Sequence, residues 1–533
     1  MNYVDPNTTV RALLEERASR NAELVVCRFE GGELTYAELN AQVNRFANGL
    51  LNMGIRKGDR VAVMLAHHTD HIVTFFALAK IAATLVPVNV NLKGDALEYL
   101  LRHSEPTGLI ADTSYDDQLA PVLRALGAAA PHVQIWRGAS GEATSSGKST
   151  SSTSACSKEA RCVDFREVCA AGSDTPPPVS VVASDVLAIC YTSGTTGAPK
   201  GALITDKMYR ASAVGSLMLS GVEDHETFLF WEPMYHLFGM EVLVLAVLKP
   251  LTLGMVERFS ATRFWEQARH YGATHIHYVG GVPQLLMKQP ESTSDRDHKV
   301  RVAWGGGCPI GMWRAFEKRF GLHMRDSFGM TETASLNIIN VEGEPGALGR
   351  PLPYFEARIV DDAGVDVALG QTGELLVRGK EPGLITPGYF RNPEATASAI
   401  RDGWLHTGDY VRQDDREIFF FVGRKKDSIR RRGENISAWE VERIINSHPQ
   451  VEESALIAVA NEFGDEEIKA FVKPHDSAFD PAAFVQWCEG KMARFQVPRF
   501  VALVDSFPKT PTQRIMKHQL SRSITDCWDR GDR

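Results

Sequence analysis

What the chain has little of narrows it first. It contains no run of eighteen or more apolar residues, which excludes an ordinary membrane-spanning helix. Residues 1–9 are polar and carry no apolar stretch, so no secretory signal is expected. Cysteine is sparse and scattered, at positions 27, 156, 162, 169, 190, 308, 488 and 527, never in Cys-x-x-Cys spacing. That pattern argues against a zinc or disulfide framework and for reduced thiols in a cytoplasmic protein. Positive charge is not in excess either: 58 Lys and Arg against 66 Asp and Glu give a net charge of -8, which speaks against a nucleic-acid partner.

What remains is the composition of a globular protein, 44% hydrophobic and 23% charged. At 533 residues it is too long for one core, and two or more domains are expected. Residues 10–137 alternate helical periodicity with short Val/Ala/Leu strands, the pattern of an α/β fold with a largely parallel sheet. Residues 138–174 break it with a Ser/Thr/Gly-rich stretch too poor in apolar side chains to order itself, read as a flexible surface insertion. From 349 to 421 short strands and turns suggest a β-rich subdomain. A basic, glycine-containing link follows at 423–433, then about a hundred residues with their own helices and strands. The expected division is a large α/β domain with a β-rich subdomain over 1–425 and a small α+β domain over 426–533.

Near the middle lies the most informative stretch. Thr192, Ser193, Gly194, Thr195, Thr196 and Gly197 are followed, after Ala198 and Pro199, by Lys200. Four hydroxyls, two glycines and a lysine stand between the apolar runs 186–191 and 202–204, so the segment reads as a tight loop between strands. Successive backbone N–H groups and hydroxyls in such a loop form a concave anion site, to which lysine adds a point charge. The chemistry is that of polyphosphate binding. It is not a Walker A loop, because Pro199 separates the last glycine from Lys200 and a strand-like run follows.

The stretch resembles the phosphate loop of the adenylate-forming enzymes: acyl-CoA synthetases, luciferases and peptide-synthetase adenylation domains. Further segments resemble that family in the same order. Residues 233–239, with His236, are similar to its acyl-pocket motif, and residues 304–309 to its adenine turn. Residues 326–332 resemble a motif in which Phe328 replaces the usual tyrosine, and residues 403–409 with Gly423 and Arg424 resemble the ribose-binding pair. The resemblance covers the chain except the insertion. It implies a carboxylic acid activated as acyl-AMP with release of pyrophosphate, then transferred to CoA, with ATP, Mg²⁺ and CoA as the required small molecules.

The residues then take roles by resemblance. The loop from Thr192 to Lys200 would hold the β- and γ-phosphates. Glu332 would hold Mg²⁺, and Thr331 would donate to the α-phosphate. Asp326, Ser327, Phe328, Gly329, Phe421 and the turn Gly307, Cys308 and Pro309 would face the nucleotide. Asp409, acceptor-only when ionised, would take the ribose hydroxyls beside Arg424. His236, Met240, Val279, Gly280, Gly281 and Trp304 would line the acyl pocket. There Trp304 would either offer an aromatic face to a trimethylammonium acid or plug the pocket for short acids. Lys426 would be the hinge of the small domain, and Gly433 and Glu434 would border the CoA channel.

One departure matters. Arg514 stands where the family's C-terminal catalytic lysine is expected, after Gln513 in place of glycine, and Lys517 lies three residues on. Arginine keeps the charge and can bridge two oxygens in a fork; its position in the motif, by resemblance, favours Arg514 over Lys517 as the catalytic cation. The exchange also leaves room for an acyl-adenylating enzyme without CoA ligation, or for a homologue that binds ATP or acyl-adenylate and turns over poorly. The chain stops at Arg533 with no carrier domain after the last motif, which points to a free-standing ligase, monomeric or homodimeric. Residues 258–265, 431–436, 466–472 and 495–498 resemble crotonobetaine/carnitine-CoA ligases. The acid itself, small, medium or carnitine-like, is left open.

Overall fold

The computed structural model describes residues 5, 7–138, 160–192, 199–425, 428–431, 434–460, 466–509 and 515–531. Two large sheets make up the N-terminal part. In the first, the strands Arg161–Asp164, Val133–Arg137, Gly108–Asp112, Arg60–Met64, Thr84–Pro87 and Val186–Thr192 run side by side in parallel. Lys200–Thr205 closes its edge antiparallel to Val186–Thr192, with Thr192 opposite Lys200. The expected phosphate loop is therefore the connection of a hairpin.

The second sheet has fourteen strands. Its central strands Thr227–Phe230, His275–Val279, Val302–Gly306 and His323–Met330 are parallel neighbours. Ligands of such sheets gather beyond the carboxyl ends of the strands, and the segments 233–239, 304–309 and 326–332 reach or follow those ends. The β-rich stretch does not stand apart as its own sheet. Phe355–Val360, Gly373–Gly379, Trp404–Gln413 and Phe419–Arg424 continue the large sheet antiparallel through Ala347–Pro351.

Local chemistry sets the helices that cover these sheets. Tyr36–Asn52 starts at a reciprocal cap: the Thr35 hydroxyl accepts the Glu38 N–H at 3.2 Å and the Glu38 carboxylate accepts the Thr35 N–H at 2.9 Å. Its apolar face, including Leu39, Val43, Phe46 and Leu50, is buried in the main core. Among the described residues no helix is long and apolar enough to cross a membrane.

The last hundred residues form a four-stranded sheet, in the order Val451–Ala460, Glu466–Pro474, Phe500–Leu503 and Trp528–Asp529. Helices Ala438–Ile445 and Pro481–Glu489 pack on it around a separate core of Val441, Ile445, Leu456, Ile468, Phe484 and Val501. The fold class is thus a large α/β part with a smaller α+β part.

Two expectations need correcting. Residues 160–174 are built into the fold, although the whole of 138–174 reads as a flexible insertion. Arg161–Asp164 is an edge strand, and the helix Phe165–Ala170 buries Phe165 and Val168, with the Phe165 ring 4.3 Å from that of Phe46. Val163, Phe165 and Val168 supply an apolar face that averaging over a serine-rich stretch conceals. Residues 139–159 lie outside the described residues. The thiols are not all reduced either: among the described residues six cysteines are free and Cys162 is disulfide-bonded.

Candidate active site at the carboxyl ends of the strands

On the phosphate side, the Thr192 hydroxyl donates to the Lys200 carbonyl at 3.4 Å, tying the two ends of the loop. Ser193, Gly194, Thr195, Thr196 and Gly197 lie outside the described residues. The hairpin is braced by residues 386–390. The Phe390 N–H donates to the Gly201 carbonyl at 2.7 Å, and the Leu203 N–H to the Gly388 carbonyl at 3.0 Å. This places Tyr389 between the two charged groups of the site. Its hydroxyl donates to Glu332 Oε1 at 2.5 Å, and its ring centre lies 5.0 Å from Lys200 Nζ. Burial, then the adjacent Glu332 carboxylate, raise the phenol above its ordinary range, so it stays protonated.

Glu332 is held on a single turn, Thr331–Thr333, at the end of the strand His323–Met330, where its carbonyl accepts the Thr386 N–H at 2.7 Å. Thr331 opens that turn. Among the described residues no group of three or more His, Cys, Asp or Glu side chains forms a cation site. A buried lone carboxylate suits Mg²⁺, which keeps waters and takes one or two carboxylates plus substrate phosphates.

The adenine side is built differently. Asp326 is buried and accepts the N–H groups of Ser327 at 2.7 Å, Gly307 at 3.2 Å and Cys308 at 3.4 Å. Burial pushes its carboxyl up to about 7, the three N–H groups offsetting part of the effect. The Ser327 hydroxyl donates to the Gly305 carbonyl at 2.6 Å. Asp326 and Ser327 therefore fix the turn. Gly307 has φ +90°, and at Gly329 an added Cβ would lie 1.6 Å from the Ser335 carbonyl oxygen, so both positions need glycine. Phe328 is half-buried against the main core, and Pro309 is exposed.

Asp409 and Arg424 face each other on neighbouring strands, with Arg424 Nε 3.3 Å from Asp409 Oδ1. The carboxylate is buried and the guanidinium open, which leaves the pair at an edge where a sugar can reach it. Phe421 packs edge-on to Trp439 with ring centres 5.5 Å apart.

Of the expected acyl-pocket residues, Val279, Gly280 and Gly281 end the strand His275–Val279, and the Gly280 N–H donates to the Gly306 carbonyl at 3.0 Å. This joins them to the adenine turn. His236 precedes the helix Leu237–Leu248, and burial lowers its imidazole to about 4, so it is neutral. Met240 and Trp304 depart from an open lining: both are fully buried. Met240 Sδ accepts from the Tyr209 hydroxyl at 3.2 Å, and the Trp304 indole packs against His277 with ring centres 4.6 Å apart.

The family description "AMP-binding enzyme" matches residues 14–390, and its "AMP-binding enzyme C-terminal domain" matches residues 440–514. The chain belongs to the AMP-binding enzymes. Similar curated proteins include the crotonobetaine/carnitine–CoA ligases of Salmonella choleraesuis, 32% identical over 505 residues, 92% of this chain and 93% of that protein. That of Escherichia coli O139:H28 is 32% identical over 510 residues, 93% of this chain and 95% of its own. Among solved structures, ATP-bound MatB from Rhodopseudomonas palustris superposes with a TM-score of 0.83 at 25% identity, covering 96% of this chain and 98% of its own.

In this AMP-binding enzyme the remaining expected residues fall in or beside the C-terminal part. Arg514, Lys426 and Gly433 lie outside the described residues. Glu434 opens the strand Glu434–Ser437, paired with Arg431. Lys517, on the short turn Lys517–Gln519, sits with Nζ 2.8 Å from Glu442 Oε1 on the helix Ala438–Ile445. Sequence reasoning missed Tyr389. It lies in Pro-Gly-Tyr-Phe within a stretch read only for strands and turns, and nothing local to it marks a charged partner.

Proposed function

We propose that this chain is an ATP-dependent acid–CoA ligase of the AMP-forming type. A carboxylate oxygen of the acid attacks the α-phosphorus of ATP and pyrophosphate leaves. The CoA thiolate then attacks the acyl carbonyl carbon, the bond to the phosphate oxygen breaks, and AMP leaves. The observation that carries this reading is the convergence of Lys200, Tyr389 and Glu332 where the phosphate hairpin meets the end of the strand His323–Met330.

The two half-reactions ask different things of the protein. Charge grows on phosphate oxygens in the first, so catalysis there is placement of cations and donors. Lys200 and the hydroxyl-rich loop serve the β- and γ-phosphates, and Thr331 the α-phosphate. Glu332 would hold Mg²⁺, which neutralises phosphate charge when bound. The turn Gly307–Pro309 takes the adenine edge, and Asp409 with Arg424 takes the ribose. Arg514 supplies the C-terminal cation, and Lys517 keeps to Glu442. The 426–533 domain swings about Lys426 between the half-reactions, opening a CoA channel past Gly433 and Glu434. The acid is small, medium or carnitine-like, and the enzyme works in the cytoplasm.

Pyrophosphate release is to be measured with a panel of acids, with and without CoA, and thioester formation followed alongside. Pyrophosphate release together with a thioester is expected. Release without thioester would make the chain an adenylating transferase, and no release with any acid would sink the reading. Arg514→Ala should lower adenylation at least about a hundredfold while Lys517→Ala leaves it within about threefold; the reverse order would move the cation to Lys517.

A further inference from the structure

A polar cluster lies directly behind the expected acyl pocket, where an all-apolar wall would do for a plain alkyl chain. Glu232 immediately precedes the segment 233–239. His277 lies two residues before the end of the strand that delivers Val279, and Trp304 is its register partner on the next strand. The Phe238 ring lies 4.5 Å from that of His277, which ties the cluster to the helix carrying Met240. Glu232 is 3% exposed, His277 1% and Trp304 0%.

These side chains do not satisfy one another. Glu232 Oε1 and His277 Nδ1 are 2.5 Å apart, yet His277 Nε2 and the Trp304 indole N–H have no partner at all. Buried polar atoms of native proteins are overwhelmingly paired, so two orphans on neighbouring rings point to a missing partner.

We infer that Glu232, His277 and Trp304 recognise a hydroxyl group on the acid, so that the enzyme prefers hydroxy acids to unsubstituted acids of the same length. This rests on the ligase reading above and specifies its substrate class. The donor and acceptor inventory makes the choice. The indole N–H needs an acceptor, which an ammonium group cannot be. A second carboxylate would accept from the indole but could not donate to the imidazole and would face Glu232. A hydroxyl accepts from Trp304 and donates to His277 Nε2, the imidazole nitrogen opposite the one that faces Glu232. Sites that hydrogen-bond a substrate hydroxyl reject the analogue lacking it far more strongly than apolar pockets sort chain lengths.

The test compares kcat/KM for acid-dependent pyrophosphate release with butanoate, 2-hydroxybutanoate, 3-hydroxybutanoate and 4-hydroxybutanoate. At least one hydroxy acid should exceed butanoate by about tenfold or more. Trp304→Phe, which keeps the ring and removes the N–H, should cut that ratio at least fivefold, as should His277→Phe if the first variant does not fold. Turnover of butanoate with no hydroxy acid favoured overturns the inference and leaves the ligase reading standing. A preference that survives both variants, or the surviving one, also overturns it. No release with any acid, short, long or carnitine-like, overturns both together.

Discussion

The two ends of the candidate nucleotide site are held by different kinds of bond. At the end proposed for adenine, a buried carboxylate, Asp326, pins backbone atoms with three N–H bonds. At the end proposed for the phosphates, the described charged groups are side chains. Glu332 is held by a phenol and Lys200 by that phenol's ring. A base edge needs one fixed geometry, which a carboxylate locked into its own turn provides. In the ligase proposed above, phosphates and a metal would arrive and depart with each turnover, so their ligands are better held by partners that can be exchanged.

The largest effect expected from breaking this contrast is at Glu332. Glu332→Gln keeps the shape and the contact to Tyr389 but removes the charge, and should lower pyrophosphate release about a hundredfold or more at saturating Mg²⁺. A loss below about threefold would show that the carboxylate is not the metal's anchor.

Asp326→Asn should do less and do it differently. The amide places a donor among the N–H groups of Gly307 and Cys308, so the turn shifts. KM for ATP should rise about tenfold, the loss of one or two buried hydrogen bonds, with kcat nearly kept. The pH profile separates this from a general loss of packing. The folded carboxyl is pushed up from 3.8 to about 7. Between those values the folded protein holds a proton that the unfolded chain has released. That contribution to stability is fully present below pH 3.8 and is lost as pH rises through 7. Denaturation midpoints should thus fall further between pH 5 and pH 8 in the wild type than in Asp326→Asn. Equal slopes would mean that Asp326 titrates normally and that the turn is not held by a burdened carboxylate.

How much of this was legible in the chain follows the same divide. The phosphate loop, the turn at 304–309 and the Asp409–Arg424 pair each sit in a contiguous signature or face one another across a register that short motifs announce. The α/β alternation likewise gave the layers, because hydrophobic periodicity is local. Tyr389 was not legible. It reaches Glu332 only because residues 386–390 lie along the hairpin edge, with Tyr389 bridged to Ala202, and pairing between distant segments leaves no mark in either. The sequence left two roles open for Trp304, and its complete burial was not legible, since that depends on Phe228, Phe238 and His277 arriving from other elements. Asp326 was found by its motif, yet which way its carboxylate points is a property of the turn it holds.

The smallest expected effect is also the sharpest on the comparison. In Tyr389→Phe the ring stays beneath Lys200, and only the hydroxyl bond to Glu332 goes. If the phosphate side works by exchange, the phenol competes with the metal for Glu332. Losing it should then leave kcat within about twofold and lower the Mg²⁺ concentration for half-maximal rate by about two- to threefold, the size of one modest hydrogen bond. Tyr389→Leu removes the ring as well and should add a two- to fivefold rise in KM for ATP, as expected for about 0.5–1 kcal/mol of cation–π attraction at Lys200. A phenol that instead stays on Glu332 through turnover, orienting it as Asp326 orients the adenine turn, predicts the opposite sign. Tyr389→Phe would then raise the Mg²⁺ requirement and lower kcat, and the two ends of the site would be built on one plan after all.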